Sequence, residues 1–446
     1  MIATPPIARQ IPLALGDISD AVAKMAQCGT ESRGAVFTRR EVVEFILDLA
    51  GYASERPLQR YRLLEPSFGD GDFLVVAVER LMQSYRAQLA KTKKAHALIL
   101  RDANQGSIVQ DLGHAIRGVE LNHASVKRTR KKLLTLLLEH NVTESDAYAL
   151  LDLWLVEGDF LLTDLPHPFT HAVGNPPYVR QELIPPMLLA EYRTRYATLY
   201  DRADLYVPFI EHTLTCLAPD GILGFICSDR WMKNKYGGPL RAMVTAGYHL
   251  AAYVDMVDTP AFHSDVIAYP AITIIKREEP GPTRIAHRPP IARDALQKLS
   301  EAMRTADIPV ASGVLEILGV AQGQEPWILQ SFDQLAVVRR LEMDFPTLEE
   351  AGCKVGIGVA TGADKVFIGP FDELDVEPSR KLPLVETKDI DGGTVKWRGR
   401  GVINPFEDSG ALVDLSDFPR LARYFDSHAE VIRKRNCAMK TPRGWY

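Results

Sequence analysis

Hydrophobic positions along this chain switch repeatedly between helical and strand spacing. Val42, Val43, Phe45, Ile46 and Leu49 recur at helical intervals and predict an amphipathic helix over Thr38 to Ala50, with Thr38 as its N-cap. Tyr61 to Leu64 reads as a short strand, followed by the turn-rich stretch Glu65-Pro66-Ser67-Phe68-Gly69-Asp70-Gly71-Asp72 and a helix from Phe73. Arg80 to Asp111 is polar and mostly helical in pattern, an insertion or an elongated helix. Ala115 to Val119 predicts a strand ending at Glu120, before a basic helix from about Ala124. Leu155-Val156 leads into Gly158-Asp159-Phe160, and a strand from His171 to Gly174 runs into Asn175-Pro176-Pro177-Tyr178. Asp204 to Leu217 is helical, and Gly221 to Cys227 is an unbroken apolar run of the kind buried on both faces of a sheet. Two more strands are predicted at Leu250 to Val257 and Ala271 to Lys276. Strands alternating with helices predict a doubly wound α/β sheet.

After Lys276 the pattern changes. Lys276 to Asp294 is rich in Pro, Arg and Glu and reads as a linker, with short strands and turns beyond it, as in Gly356 to Gly369. The expected division is therefore residues 1–276 and 277–446. No apolar run approaches the roughly 18–20 residues that span a bilayer. The N-terminus lacks the pattern of a signal peptide, so a cytoplasmic location is expected. The five cysteines are scattered without CxxC or Cys/His ligand spacing, so no metal is expected. The net charge of -5 neither suggests nor forbids nucleic acid, because phosphate contacts need only a local basic face.

The strongest chemical signal is Asn175-Pro176-Pro177-Tyr178 after an apolar strand. Two prolines end both helix and ladder, so a rigid loop leaves the sheet where ligands of open α/β folds bind. The Asn175 side-chain oxygen and the Pro176 carbonyl are both acceptors. Together they suit a planar amine such as adenine N6, whose lone pair is delocalised and poorly nucleophilic. Tyr178 would stack on the base, and an adenine in a duplex would have to be flipped out to arrive there. In Glu65 to Phe73, glycines permit close backbone approach, and the acidic residue suits a cofactor with a cationic methionine end. Glu120 could bind ribose hydroxyls, Asp159 an adenine amino group, and Phe160 could stack on that ring. Each of these features falls at the C-terminal edge of a predicted strand.

In these motifs the chain resembles the gamma-class N6-adenine DNA methyltransferases, the TaqI-like restriction-modification group. The resemblance runs over nearly the whole length, through Thr38-Arg39-Arg40-Glu41-Val42, Glu65 to Phe73, Glu120, Asp159-Phe160 and the NPPY tetrapeptide. It implies a class I S-adenosylmethionine-dependent methyltransferase sheet with a C-terminal α+β target-recognition domain. It implies a catalytic set of Asn175, Pro176, Pro177 and Tyr178, with Phe262 packing against the flipped base beside Tyr178. Thr38, Glu65, Pro66, Gly69, Gly71, Phe73, Glu120, Asp159 and Phe160 are then expected to bind S-adenosylmethionine. The expected partners are double-stranded DNA containing a target adenine and a cognate restriction or defence component. Gly358 to Phe367 resembles the start of the recognition domain.

NPPY also serves methyltransferases acting on a protein glutamine amide or on guanine N2 of RNA. Those usually carry an accessory domain before the core, whereas here the extra domain follows it, which favours DNA. Other features carry less. Gly356-x-Gly358 opens no apolar helix. His167, His171 and His263 share no ligand spacing, and Glu386-Thr387-Lys388 matches a nuclease pattern by letters only. Arg433-Lys434-Arg435, Lys440 and Arg443 are either a solvated face or phosphate contacts.

Overall fold

The apolar runs predicted as strands assemble side by side, the longest of them, within 217–228 and 270–276, buried on both faces. The fold is known from a computed structural model, which describes residues 15–27, 36–97, 107–165, 168–263, 269–329, 332–354, 356, 358–435, 437–438 and 444–446. The strands are β1 Leu63–Glu65, β2 Ile116–Glu120, β3 Leu155–Glu157, β4 Phe169–Gly174, β5 Leu217–Ser228, β6 His249–Asp255, β7 Pro270–Lys276, β8 Thr283–His287 and β9 Leu315–Ile317. Their order in the sheet is β3-β2-β1-β4-β5-β7-β6-β8-β9. β3 through β5 are parallel, and β7 is antiparallel to both β5 and β6. This is the doubly wound α/β sheet that the alternation of strands and helices predicts.

Alternate residues of one strand enter different cores. Leu63 and Ile274 join the layer of Val42, Phe45, Leu133 and Leu150, while Leu64 and Ile275 join that of Tyr192, Phe209 and Leu240. With helices covering both faces, an unbroken apolar strand is the stable choice. Strand order reverses between β1 and β4, so the C-terminal ends of these neighbours diverge and open a crevice.

The chain divides into two compact units, 1–341 and 342–446. The expected linker is corrected: it contains β8, which pairs parallel to β6, and the helix Arg293–Ala302 packs Leu296 and Leu299 into the core. Its prolines flank the strand, and the strand itself, Thr-Arg-Ile-Ala-His, is too short to stand out. Thr38 is not the helix cap either. The helix runs Arg40–Leu49 from Arg39, because Thr38 is drawn into an antiparallel bridge with Phe262. The elongated-helix reading fits Asp72–Ala97, although part of that segment lies outside the described residues.

The second unit is a small α+β body. Strands β10 Ile368–Pro370, β11 Lys381–Pro383 and β14 Arg400–Ile403 form an antiparallel sheet in the order β10-β14-β11, and β12 Ile390–Asp391 with β13 Thr394–Val395 forms a hairpin. Gly392 and Gly393 both have positive φ, as a tight two-residue hairpin turn requires. Phe367, Val376, Leu421, Phe425 and Ile432 make its core. The strands expected within Gly356 to Gly369 reduce to β10, which follows the short helix Asp364–Phe367.

Candidate cofactor and target site

Parallel strands send their C-terminal ends to one edge, and there β1, β2, β3 and β4 deliver Glu65, Glu120, Asp159 and Asn175 to a single cavity. It encloses about 1000 Å³ with its open mouth included. Thr38, Glu65, Pro66, Gly69, Phe73, Glu120, Asp159, Phe160, Asn175 and Pro177 all line it. Gly71, Pro176, Tyr178 and Phe262 are outside that lining.

Two further carboxylates, Asp72 and Glu120, lie close to Glu65. Glu65 is 1% exposed, and its Oε2 has no hydrogen-bond partner. Burial first, then the nearby Asp72 and Glu120, push its pKa well above the usual carboxylate range. Glu120 is buried more comfortably: Oε2 accepts from Gly69 N at 2.9 Å and Oε1 from Asn122 N at 2.7 Å. Asp159 accepts from Leu161 N at 2.9 Å through Oδ1 and from the Tyr192 hydroxyl through Oδ2. Phe160 packs against Phe209, with ring centroids 5.1 Å apart.

The glycine loop is held from behind by the helix His123–Glu139. Thr129 Oγ1 donates to Gly69 O at 2.9 Å, Lys132 Nζ to Asp70 O at 2.6 Å, and Arg128 pairs with Asp70 at 2.8 Å. Gly71 has φ +88°, and a Cβ there would sit 2.8 Å from Thr129 Cγ2. Both the left-handed backbone and the close approach of this helix favour glycine there.

The Asn175 amide is fixed in one orientation. Its Nδ2 donates to Val36 O at 2.9 Å and Thr38 Oγ1 at 3.2 Å. A carbonyl can only accept, so the nitrogen must face Val36 and the oxygen must face away. Oδ1 is buried and has no partner. Tyr178 leans on Tyr206, with centroids 6.2 Å apart, and its buried hydroxyl is also unpartnered. Phe262 is 7% exposed and packs into the core, bridging Thr38.

Several lining residues carry no role in the sequence reading. Asp72 lies within the quoted loop and could have been picked out by its charge. Val36, Arg128, Tyr192 and Phe209 come from distant segments and had no local signal. The weaker motifs resolve structurally. His171 is buried against Tyr61, where desolvation lowers its pKa to about 4. Lys388 pairs with Glu386 at 2.8 Å, and Arg433 and Arg435 lie over Trp445 and Phe367. His167, Lys440 and Arg443 lie outside the described residues. No cluster able to hold a metal occurs among the described residues, and no helix among them is long and apolar enough to cross a membrane.

The donor set fits S-adenosylmethionine. A buried acidic group with one oxygen unpartnered, beside two further carboxylates, favours a cation, and the cofactor's methionine end carries one. Fold and cofactor thus define a class I S-adenosylmethionine-dependent methyltransferase. Residues 114–262 match the Eco57I restriction-modification methylase family. The chain is 58% identical over 419 residues to the Type II methyltransferase M.PaeR7I of Pseudomonas aeruginosa, covering 94% of this chain and 71% of that protein. It is 53% identical over 420 residues to the Type II methyltransferase M.XhoI of Xanthomonas vasicola, covering 93% and 74%. Among solved structures, the DrdV–DNA complex aligns with a TM-score of 0.49 at 15% identity, over 78% of this chain and 37% of that one. The protein belongs to the Type II DNA methyltransferases of restriction-modification systems.

Proposed function

We propose that this methyltransferase acts on the N6 amine of adenine in double-stranded DNA, with the target base rotated out of the helix into the cavity beside Asn175. The observation that carries the reading is the Asn175 amide, whose nitrogen is committed to Val36 and Thr38 while its buried oxygen has no protein partner. A conjugated amine presents two N–H donors. Asn175 Oδ1 and the Pro176 carbonyl accept them, favour a more tetrahedral nitrogen, and free its lone pair for in-line attack. S-adenosylmethionine supplies the methyl group on a sulfonium that leaves readily. The residues therefore contribute mainly position and electrostatics.

Glu65 would face the cationic methionine end of the cofactor, Glu120 would take ribose hydroxyls, and Asp159 and Phe160 would hold the adenine. Tyr178 supplies the aromatic face for the flipped base. Phe262 acts on the site indirectly, by pairing with Thr38. The first unit is the catalytic body, and the second carries target recognition, with a restriction component as cognate partner.

The test is Asn175→Ala in the full chain, with methylated bases in plasmid DNA identified by mass spectrometry. Cofactor binding should stay near wild type while N6-methyladenine formation falls about 10²–10³-fold, the scale for a lost preorganised hydrogen-bonding group. Wild-type protein that methylates another base, or a variant of undiminished rate, would contradict the reading.

A further inference from the structure

We propose that Thr38 is a positioning residue for methyl transfer: its hydroxyl holds the Asn175 amide with the oxygen turned toward the target amine. The proposal rests on the reading that Asn175 Oδ1 receives that amine, and it gives Thr38 a task other than binding cofactor. A primary amide has two N–H donors. Here Val36 O takes one at 2.9 Å and Thr38 Oγ1 the other at 3.2 Å, so the nitrogen's capacity is filled and only the oxygen remains for a ligand.

The two acceptors act differently. Val36 O selects the orientation, since rotating the amide by half a turn would set two acceptors face to face. Thr38 fixes the torsion within that orientation, and two bonds drawn from the nitrogen polarise the amide and strengthen its oxygen as an acceptor. The segment that presents them is itself anchored. Thr38 N donates to Asp72 Oδ2 at 3.0 Å, Arg39 N to Ala261 O at 3.0 Å, and His263 N to Phe37 O at 3.1 Å. Thr38 is 2% exposed, so water does not compete for its hydroxyl. Through Asp72, which lines the cavity, the same residue ties the target side of the site to the cofactor side.

The experiment compares Thr38→Val and Thr38→Ser in the full chain, measuring single-turnover methylation at saturating DNA and S-adenosylmethionine. Cofactor affinity is measured in parallel by calorimetry and reports the fold of each variant. Thr38→Val, which keeps the shape and removes the acceptor, should slow transfer about tenfold, the scale of one neutral hydrogen bond. Its cofactor dissociation constant should stay within about twofold of wild type, well short of the effect of a lost hydrogen bond. Thr38→Ser should recover most of the rate. A Thr38→Val variant at wild-type rate overturns the proposal. So does cofactor affinity that falls in step with rate, or is lost altogether, because Thr38 would then be a cofactor ligand or a structural residue. Failure of Thr38→Ser to recover the rate overturns it as well. Asn175→Ala, run alongside, separates the two levels. If it remains active, the reading of Asn175 fails; if it is inactive while Thr38→Val is not, only the role of Thr38 fails.

Discussion

Tyr192 donates its hydroxyl proton to Asp159 Oδ2, joining the helix Pro186–Arg195 to the loop after β3. The other carboxylate oxygen, Oδ1, accepts from Leu161 N. Burial raises the pKa of Asp159, and these two bonds work against that rise. Burial and the adjoining carboxylate likewise raise the pKa of Tyr192, so the phenol stays a donor. The pair therefore sets where a buried acceptor sits at the cofactor's expected adenine end.

Asp159→Ala should weaken S-adenosylmethionine binding by about 1.5–3 kcal/mol, as for hydrogen bonds to a charged group. Tyr192→Phe should weaken it by roughly 1 kcal/mol, since the carboxylate remains and only its anchor is lost. Titration calorimetry reads both. Wild-type affinity in both variants would remove Asp159 from the cofactor site.

Glu65 makes stability and binding pull against each other. Its folded pKa lies above the unfolded value, so its contribution to stability is fully present below the unfolded pKa and is lost as pH rises through the folded one. Without cofactor, Glu65→Gln should therefore become progressively more stable than wild type as pH rises above the ordinary carboxylate range. The same variant should bind cofactor more weakly, because the cation loses its counter-charge. Urea unfolding across that range, with cofactor titration of each protein, checks both halves. A stability difference independent of pH would mean that Glu65 carries no raised pKa.

The two glycines of the cofactor loop should differ on substitution. Gly69 has φ +49° and open space where a Cβ would go, so Gly69→Ala should cost roughly 1–2 kcal/mol from the left-handed backbone alone. Gly71→Ala adds the contact with Thr129 and should cost more. Thr129→Ser removes the nearest atom and should recover part of that excess when combined with Gly71→Ala. Denaturant midpoints of the four proteins decide this, and equal losses at the two glycines would show that the helix yields freely.

Much of this fold follows from neighbours along the chain. Unbroken apolar runs mark strands covered on both faces, the prolines after Asn175 force an exit from the sheet, and the acids fall just after strands. Parallel pairing then carries Glu65, Glu120, Asp159 and Asn175 to one edge, so most of the cavity's polar lining follows from the chain's local pattern. Tertiary structure alone decided what depends on distant partners. Thr38 has the chemistry of a helix cap, yet pairing with Phe262 takes it out of that position and brings its hydroxyl to Asn175. The loop's pattern announces a glycine at position 71, but only the helix carrying Thr129 shows how little room a Cβ would have there. The stretch holding β8 reads as a linker because its strand is short, and only β6 beside it supplies the ladder that makes it part of the sheet. In each case a local preference worth about a kilocalorie per mole, such as a cap, is outweighed by packing and hydrogen bonds from a segment that no local pattern announces.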